Sequence, residues 1–322
     1  MYDVIGDVHG KGKELDRLLI HLGYPLKDGE FRAHPEGRMI IFAADFIDRG
    51  SENGPVIKRA RNLVERGIAA SVMGNHEYNA VLWATPDPRK PGEFKRAHTE
   101  KNRKQHEKFL KEVEADPAFY KETIEWFKTL PLFLVKENYR FVHACWHQQS
   151  IDLLQRHDCI TADGRLTDKG WDIAGDKSSP LCAAIDMLIS GPEDELGNGL
   201  SYLDWEGHSR DLARVAWWKE SVATLGEAFA SMPDNVPFLT LPYNQEDAQP
   251  AVKEIRSGLR ALPPEVKIFI GHIWEKGDPK PLTDRVACVD YGSGKDGGLV
   301  AYRTVLGETE LKAKNFFWAP RP

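Results

Sequence analysis

Short apolar segments in the first part of the chain each end in a loop that carries Asp, Asn or His. These pairs are residues 2–5 before Gly6-Asp7-Val8-His9-Gly10, residues 39–44 before Asp45, and residues 68–73 before Gly74-Asn75-His76-Glu77. Each of these short segments predicts a strand, and the continuous apolar run at residues 39–44 predicts one that is covered on both faces. In α/β proteins, the loops at the carboxyl ends of such strands line the site. The repetition therefore predicts an α/β fold with its site at one edge of a sheet.

Helical patterns separate these predicted strands. Leucines at i, i+3, i+4 and i+7 predict a helix over residues 11–22, which Gly23 and Pro25 end. A second apolar stripe ends at Gly67. Further on, strands are predicted at residues 139–144, 266–270, 286–289 and 299–305.

Two long segments interrupt this alternation. Residues 85–129 mix Lys, Arg and Glu at helical spacing, which favours a helical insertion with a solvated face over a nucleic-acid patch. We expect His98 and His106 of this segment to be solvated, and likewise His157 further along the chain. Residues 149–250 show one apolar helix, at 181–189, and are interpreted as a cap or specificity region.

Composition narrows the class of protein. Hydrophobic residues make up 41% of the chain and charged residues 29%, as in an ordinary globular protein. The net charge of −6 argues against a stable nucleic-acid partner. The four cysteines form no C-x-x-C pair, which predicts reduced thiols. With no leader and no membrane-spanning apolar run, a cytoplasmic protein is expected.

The predicted strand ends carry a set of side chains that suits metal ions. The set comprises Asp7, His9, Asp45, Asn75, His143 and His272. Carboxylate, imidazole and amide ligands fit a divalent transition ion, and the set contains no thiolate. These ligands are too many for one catalytic ion with an open position, but they suffice for two ions if one carboxylate bridges.

Five ordered motifs carry a resemblance to a known family. They are Gly6-Asp7-x-His9-Gly10, Asp45-x-x-Asp48-Arg49-Gly50, Gly74-Asn75-His76-Glu77, Val142-His143-Ala144 and Gly271-His272. The sequence resembles the calcineurin-like metallophosphoesterase superfamily. Its closest resemblance is to the phosphoprotein-phosphatase-like branch of bacterial serine/threonine phosphatases and symmetrical diadenosine-tetraphosphate hydrolases. The resemblance implies a four-layer α/β/β/α sandwich, with residues 1–322 as one catalytic domain and residues 85–129 and 149–250 as insertions.

The resemblance also implies a role for each site residue. Asp7 and His9 would hold the first ion, Asp45 would bridge, and Asn75, His143 and His272 would hold the second. His76 would protonate the leaving group while Asp48 hydrogen-bonds it, and Arg49 would bind phosphate oxygens. The expected cofactor is a pair of divalent ions, Mn²⁺ first, with Fe or Zn as alternatives.

Two positions depart from the family pattern. Ala44 stands where the family usually has glycine, and we expect that the position requires only a small residue rather than a positive φ. Gly271-His272-Ile273-Trp274 lacks the second histidine of other superfamily branches. The first ion is therefore expected to have fewer protein ligands and more water.

The implied function is hydrolysis of phosphate esters by a metal-bridging hydroxide, with phosphomonoesters (phosphoproteins or small molecules) preferred. The alternatives are hydrolysis of dinucleoside polyphosphates, processing of nucleic-acid ends, and a non-catalytic metal-binding scaffold. The scaffold is disfavoured because no ligand is missing. A nucleotide hydrolase needs an apolar or aromatic slot and extra cations, which the insertions would supply. Arg214 is a possible second phosphate clamp, although a surface position is favoured, and Trp217 and Trp218 are assigned to the core.

Overall fold

The computed structural model describes residues 1–197, 199–204, 207–244, 246, 248–294 and 297–320. Its strands are β1 (Tyr2–Ile5), β2 (Leu26–Lys27), β3 (Glu30–Phe31), β4 (Met39–Phe42), β5 (Ala69–Ser71), β6 (Phe133–Lys136), β7 (Tyr139–Val142), β8 (Glu193–Glu195), β9 (Tyr202–Leu203), β10 (Ser209–Arg210), β11 (Leu212–Arg214), β12 (Lys267–Ile270), β13 (Val286–Cys288), β14 (Asp290–Tyr291), β15 (Gly298–Arg303) and β16 (Phe316–Trp318). Its α-helices are α1 (Gly12–His21), α2 (Asn53–Glu65), α3 (Asn75–Ala84), α4 (Glu100–Val113), α5 (Pro117–Lys128), α6 (Gln148–Arg156), α7 (Asp168–Ile173), α8 (Pro180–Ser190), α9 (Leu225–Ala228) and α10 (Pro250–Ala261).

Two mixed sheets stack at the centre of the fold. The first has the order β14-β15-β1-β4-β5 with β16 beside β15, and the second has the order β13-β12-β7-β6. Strand β1 runs parallel to β4, and β12 runs parallel to β7 and β13. Val4 and Ile41 of the first sheet share one buried cluster with Phe141 and Phe269 of the second. This cluster forms the layer between the sheets.

Helices cover the outer faces of the sheets. Ile5 and Phe42 point away from the inner cluster and join Leu15 and Leu18 of α1 in a second, larger core. Because side chains alternate between the faces of a strand, Ile5, Ile40 and Phe42 belong to this outer core, whereas Val4 and Ile41 face the inner cluster. The chain is thus an α/β/β/α sandwich, and the predicted fold class is confirmed.

The strand boundaries differ from the predicted ones where the chain leaves its ladder. Strand β5 is shorter than the predicted 68–73, because the amide of Met73 donates to the carbonyl of Pro131 (2.7 Å) rather than to a neighbouring central strand. Residues 149–250 contain α7 and the paired strands β8 and β11 in addition to the predicted helix, which is α8. Strands of two or three residues are too short to show a period of two.

Helix α4 has a buried face as well as a solvated one. His106, Phe109, Leu110 and Val113 are buried at i, i+3, i+4 and i+7, while most of the other side chains of α4 are exposed. The expectation that His106 is solvated is therefore wrong: the side chain is 0% exposed. The same expectation is confirmed for His98 and His157.

Asp3, on the N-terminal strand β1, is a buried carboxylate that binds side chains from other parts of the chain. Asp3 is fully buried and accepts hydrogen bonds from Arg38 Nε (3.0 Å), Arg303 Nε (2.8 Å) and the hydroxyl of Tyr24 (3.1 Å). Removing one partner of a buried ion pair leaves the other charge uncompensated. This network couples β1 to the loop before β4 and to β15.

Asp3→Asn is expected to lower the free energy of unfolding by about 3–5 kcal/mol, because the buried guanidinium of Arg38 loses its counter-charge. Chemical denaturation of the two proteins measures the difference. Glu65→Gln is the matched control, since it breaks only the solvent-exposed pair with Arg61, and it should cost less than about 1 kcal/mol. Equal effects of the two variants would contradict the importance of the buried network.

Candidate metal centre

The loops that follow β1, β4, β5 and β12 converge on one cavity. Its volume is about 360 Å³. The predicted site residues on its wall are Asp7, His9, Asp45, Asp48, Arg49, Asn75, His76 and His272. His143, at the end of β7, contacts two of them from beneath. The structure therefore brings all of the residues selected from the sequence to one place.

Asp45 lies at the centre of this group. Its Oδ2 atom is 3.4 Å from Nε2 of His143, 3.7 Å from Nε2 of His9 and 3.8 Å from Nε2 of His76. The possible ligand atoms fall into two sets that share this carboxylate, one with His9 and His76 and the other with His143 and His272. In each set these atoms lie within 4.8 Å of one another. A carboxylate shared in this way has the position required of a bridging ligand.

Backbone carbonyls hold two of the imidazoles in place. Nδ1 of His9 lies 2.9 Å from the carbonyl oxygen of Ile47, and Nδ1 of His143 lies 2.6 Å from that of Ala43. These contacts assign the proton to Nδ1, because a carbonyl only accepts. Each Nε2 therefore presents its lone pair to the cavity. Metal-binding histidines are typically oriented by a second hydrogen bond of this kind.

Polar atoms of the centre lack a suitable hydrogen-bond partner or face another acceptor. Nε2 of His272 is buried without a partner among the described residues, and Oδ1 of Asp7 finds no donor there other than the carboxyl group of Asp290. Oδ1 of Asn75 lies 3.0 Å from Nε2 of His143, where both atoms are acceptors in the tautomer assigned above. Buried acceptors without donors cost free energy. The donor set, which is nitrogen and oxygen without sulfur, fits divalent transition ions.

The loops around the centre adopt a left-handed backbone at residues other than glycine. The φ angles are 45° at His9, 85° at Ala44, 47° at Asp45 and 62° at His272. The expectation for Ala44 is therefore wrong: the position does require a positive φ, which costs an alanine roughly 1–2 kcal/mol. The buried methyl group of Ala44 packs between the sheets, so this contact offsets part of the strain.

Glu77, which the sequence analysis left without a role, holds the Asp45 loop. Its carboxylate is fully buried and accepts hydrogen bonds from the amides of Asp45 (3.0 Å), Phe46 (2.7 Å) and Gly74 (3.1 Å). Burial, followed by repulsion from Asp45, raises the pKa of Glu77 to about 7. A Cβ atom at Gly74 would lie 2.2 Å from Oδ1 of Asp45, so this position accommodates only glycine.

Asp290 is a second residue that the sequence analysis missed. It follows the buried strand β13, and its buried carboxyl group lies against that of Asp7. Burial raises the pKa of Asp290 to about 6, and burial together with repulsion from Asp290 raises the pKa of Asp7 well above its usual range. An apolar strand that ends in Asp is the signal that identified the other loops, and it would have identified this one.

His76 and Asp48 form a pair at the edge of the cavity. Nδ1 of His76 lies 2.6 Å from Oδ2 of Asp48. Burial opposes the cationic form of His76, but the carboxylates of Asp45 and Asp48 outweigh it and raise its pKa to about 9. Nε2 of His76 is thereby directed toward the centre. Arg49, which also lines the cavity, lies beside this pair.

The insertions complete the wall of the cavity. Residues 85–129 contribute Arg96, and residues 149–250 contribute Tyr202, Arg210 and Arg214. The prediction that Arg214 lies on the surface is wrong, because this side chain lines the cavity and its Nε atom is buried. Trp217 is buried and donates to the carbonyl of Ala144 (3.2 Å), as a core residue does.

Among the described residues, no helix is long and apolar enough to cross a lipid bilayer.

The sequence model of the calcineurin-like phosphoesterase family matches residues 2–273 of this chain. Similar proteins include the bis(5'-nucleosyl)-tetraphosphatase PrpE [asymmetrical] of Oceanobacillus iheyensis, which is 34% identical over 125 residues, or 36% of this chain and 50% of the relative. The protein of the same name from Bacillus subtilis is 31% identical over 126 residues, or 37% of this chain and 51% of the relative. The chain thus spans about half the length of these relatives.

Among solved structures, the cold-active protein-tyrosine phosphatase of a Shewanella species aligns with a TM-score of 0.49 at 15% identity, covering 99% of this chain and 80% of that chain. A serine/threonine phosphatase of Saccharomyces cerevisiae aligns with a TM-score of 0.44 at 14% identity, covering 98% and 78%. At these values the two structures add nothing to the assignment of an activity.

Proposed function

This chain belongs to the calcineurin-like phosphoesterase family, and from that premise we propose that it is a phosphoesterase that uses two divalent metal ions. The observation that carries the proposal is the carboxylate of Asp45, which faces three imidazole nitrogens within 3.8 Å and belongs to both possible ligand sets. The family match confirms the resemblance that the motifs carry.

In this proposal the ligands follow the family resemblance, so that Asp7 takes the place that His76 has in the first of the two sets above. Asp7 and His9 would hold one ion, and Asp45 would bridge the two. The other ion would be held by three residues: Asn75, His143 and His272. When bound, two such ions lower the pKa of a water molecule and neutralise charge on the phosphate. The nitrogen and oxygen donors suit Mn²⁺, Fe or Zn.

The remaining residues would act on the substrate directly. His76, held by Asp48, would donate the proton on Nε2 to the departing oxygen. The guanidinium of Arg49 would bind two phosphate oxygens at once and stabilise the charge that grows on them.

We further propose that residues 1–322 form one catalytic domain, since Asp7 and His272 share a single cavity. Four free, buried cysteines support a cytoplasmic location.

For the substrate class we place dinucleoside polyphosphates first. Arg49 and Arg214 would suffice for one phosphate, yet the insertions add Arg96 and the ring of Tyr202 to the same cavity. They also add three carboxylates, of Glu193, Asp204 and Asp211, of which Asp204 pairs with Arg210. Extra cations and an aromatic surface are what a polyphosphate chain and a base require. The names of the two relatives favour the same class. Phosphomonoesters, preferred from the sequence alone, remain the second candidate.

A turnover panel tests both levels of this proposal. The full chain is treated with a chelator, reconstituted with Mn²⁺ and given diadenosine tetraphosphate, p-nitrophenyl phosphate, its bis-ester and a phosphopeptide. We expect kcat/KM for diadenosine tetraphosphate to exceed the others by about 10-fold or more. Full activity in the chelated protein would overturn the metal-dependent mechanism, and a preference for the phosphopeptide would reverse the order of substrates.

The products formed from diadenosine tetraphosphate show which of its phosphate linkages is cleaved. Two molecules of ADP would indicate the symmetrical reaction, whereas ATP and AMP would indicate the asymmetrical reaction that the names of the two relatives give. The motifs alone suggested the symmetrical type. We expect ATP and AMP, and chromatography of a partial digest separates the two outcomes.

A further inference from the structure

Asp48 has a second imidazole partner besides His76. Nδ1 of His106 lies 2.9 Å from Oδ1 of Asp48 and 3.2 Å from Oδ2, while His76 contacts Oδ2 at 2.6 Å. Asp48 is 2% exposed and His106 is 0% exposed. A carboxylate only accepts hydrogen bonds, so the Nδ1–H groups of both imidazoles donate to it. With both oxygen atoms occupied, the carboxylate cannot rotate away from His76.

Helix α4 also holds the backbone of the same loop. The carboxylate of Glu112 accepts hydrogen bonds from the amide of Asn53 (3.0 Å), from its side-chain Nδ2 (2.5 Å) and from the amide of Gly54 (2.8 Å). These amides begin α2, so Glu112 caps that helix from the neighbouring one. The Oδ1 atom of Asn53 in turn accepts from the amide of Asp48 (2.6 Å).

The loop needs this support because its backbone is strained. The φ angles of Asp48 and Arg49 are 71° and 57°. Left-handed conformations cost residues other than glycine roughly 1–2 kcal/mol each and persist only when their surroundings fix them. Helix α4 fixes the side chain of Asp48 through His106 and its main chain through Glu112 and Asn53.

The surroundings of His106 would suit an apolar residue better. Its ring lies 4.8 Å from the ring of Phe109 and 6.0 Å from that of Trp83, measured between centroids. Its Nε2 atom is buried without a hydrogen-bond partner among the described residues. A buried polar atom without a partner costs about 1–3 kcal/mol. The imidazole of His106 therefore lies in largely apolar surroundings, and its contact with the buried carboxylate of Asp48 is what offsets the cost of burying it.

We propose that His106 is a positioning residue that acts through Asp48 to hold His76 in its orientation for proton transfer. The inference rests on the proposed function, in which His76 protonates the leaving group. It assigns a role to the helical insertion, whose helix α4 supplies both His106 and Glu112. The insertion thus completes the catalytic pair in addition to lining the cavity with Arg96.

A matched pair of substitutions tests the hydrogen bond. Asparagine and leucine have nearly the same shape, and the amide nitrogen of asparagine can occupy the place of Nδ1. With the substrate that the wild-type enzyme turns over fastest, His106→Leu should lower kcat by about 10- to 100-fold and leave KM within about 3-fold. His106→Asn should recover most of this loss. Val113→Ala, which loosens the packing of α4 two turns from His106, should lower the melting temperature while kcat stays within about 3-fold.

A double variant separates positioning from a merely structural role. If His106 acts through His76, adding His106→Leu to His76→Ala should cause no further loss of kcat. A multiplicative loss in the double variant, or an asparagine variant as slow as the leucine variant, would overturn the inference. Should His106→Leu fail to fold, the same cycle is run with His106→Phe, which keeps a ring but offers Asp48 no N–H donor, and a multiplicative loss there overturns the inference equally. An inactive wild-type protein would instead overturn the proposed function, on which the inference rests.

Discussion

His76→Ala is expected to lower kcat by about 10²- to 10⁴-fold, the range that a general acid contributes. The imidazole is the only group among the described residues that combines a carboxylate partner at 2.6 Å with a pKa raised to about 9 and a place on the cavity wall. Its Nε2 atom lies 3.8 Å from the proposed bridging carboxylate. Steady-state kinetics measure the loss, and metal analysis should show the same ion content as in the wild-type protein.

The nature of the leaving group sharpens this prediction. Protonation of the leaving group contributes least to the rate when the departing oxygen is a weak base. The variant should therefore lose less activity on p-nitrophenyl phosphate than on phenyl phosphate, whose leaving group, phenol, has a pKa of about 10. His98→Ala is the control: this exposed histidine stacks on Trp83 and Phe94, away from the centre. A loss of less than about 10-fold in His76→Ala on both substrates would exclude His76 as the proton donor.

The strand ends could be predicted from sequence because burial on both faces leaves an uninterrupted apolar run. Residues 39–42 are such a run, and residues 2–5 and 267–270 are apolar except for the buried Asp3 and Lys267. The residue that reaches the centre follows each strand after two or three positions. Parallel neighbours then bring these ends to one edge without any knowledge of long-range contacts. The positions of Asp7, Asp45 and His272 follow from this rule.

The supporting residues could not be found in the same way. His106 is bonded to Asp48, 58 positions earlier in the chain, and no local pattern encodes a pairing over that distance. A weaker signal was present, since His106 lies on the same helical stripe as Phe109, Leu110 and Val113. A polar residue on an apolar stripe indicates a buried polar contact. The backbone strain at Ala44 also had a signal, since the family usually has glycine at this position, but the sequence does not distinguish a positive φ from the need for a small residue.

Asp45→Asn is expected to have the largest effect of any single substitution, lowering kcat by about 10³-fold or more. The amide keeps the size of the side chain but removes the negative charge that both possible ligand sets share. A bridging ligand contributes to the binding of two ions, and each ion contributes several kcal/mol to the stabilisation of the transition state. Since about 1.4 kcal/mol corresponds to a factor of ten in rate, the loss of even part of this contribution exceeds that of a positioning contact.

Metal content distinguishes this effect from a loss of structure. The wild-type protein, reconstituted with Mn²⁺ and desalted, should retain two ions per chain, whereas Asp45→Asn should retain one or none. Asp152→Asn, at an exposed position on α6, should retain both ions and full activity. Because Oδ1 of Asp45 accepts from the amide of His76 (3.1 Å) and the asparagine carbonyl can do the same, the fold of the loop should persist. Two retained ions together with wild-type turnover in Asp45→Asn would show that this carboxylate does not bridge, and the centre would have to be assigned to other ligands.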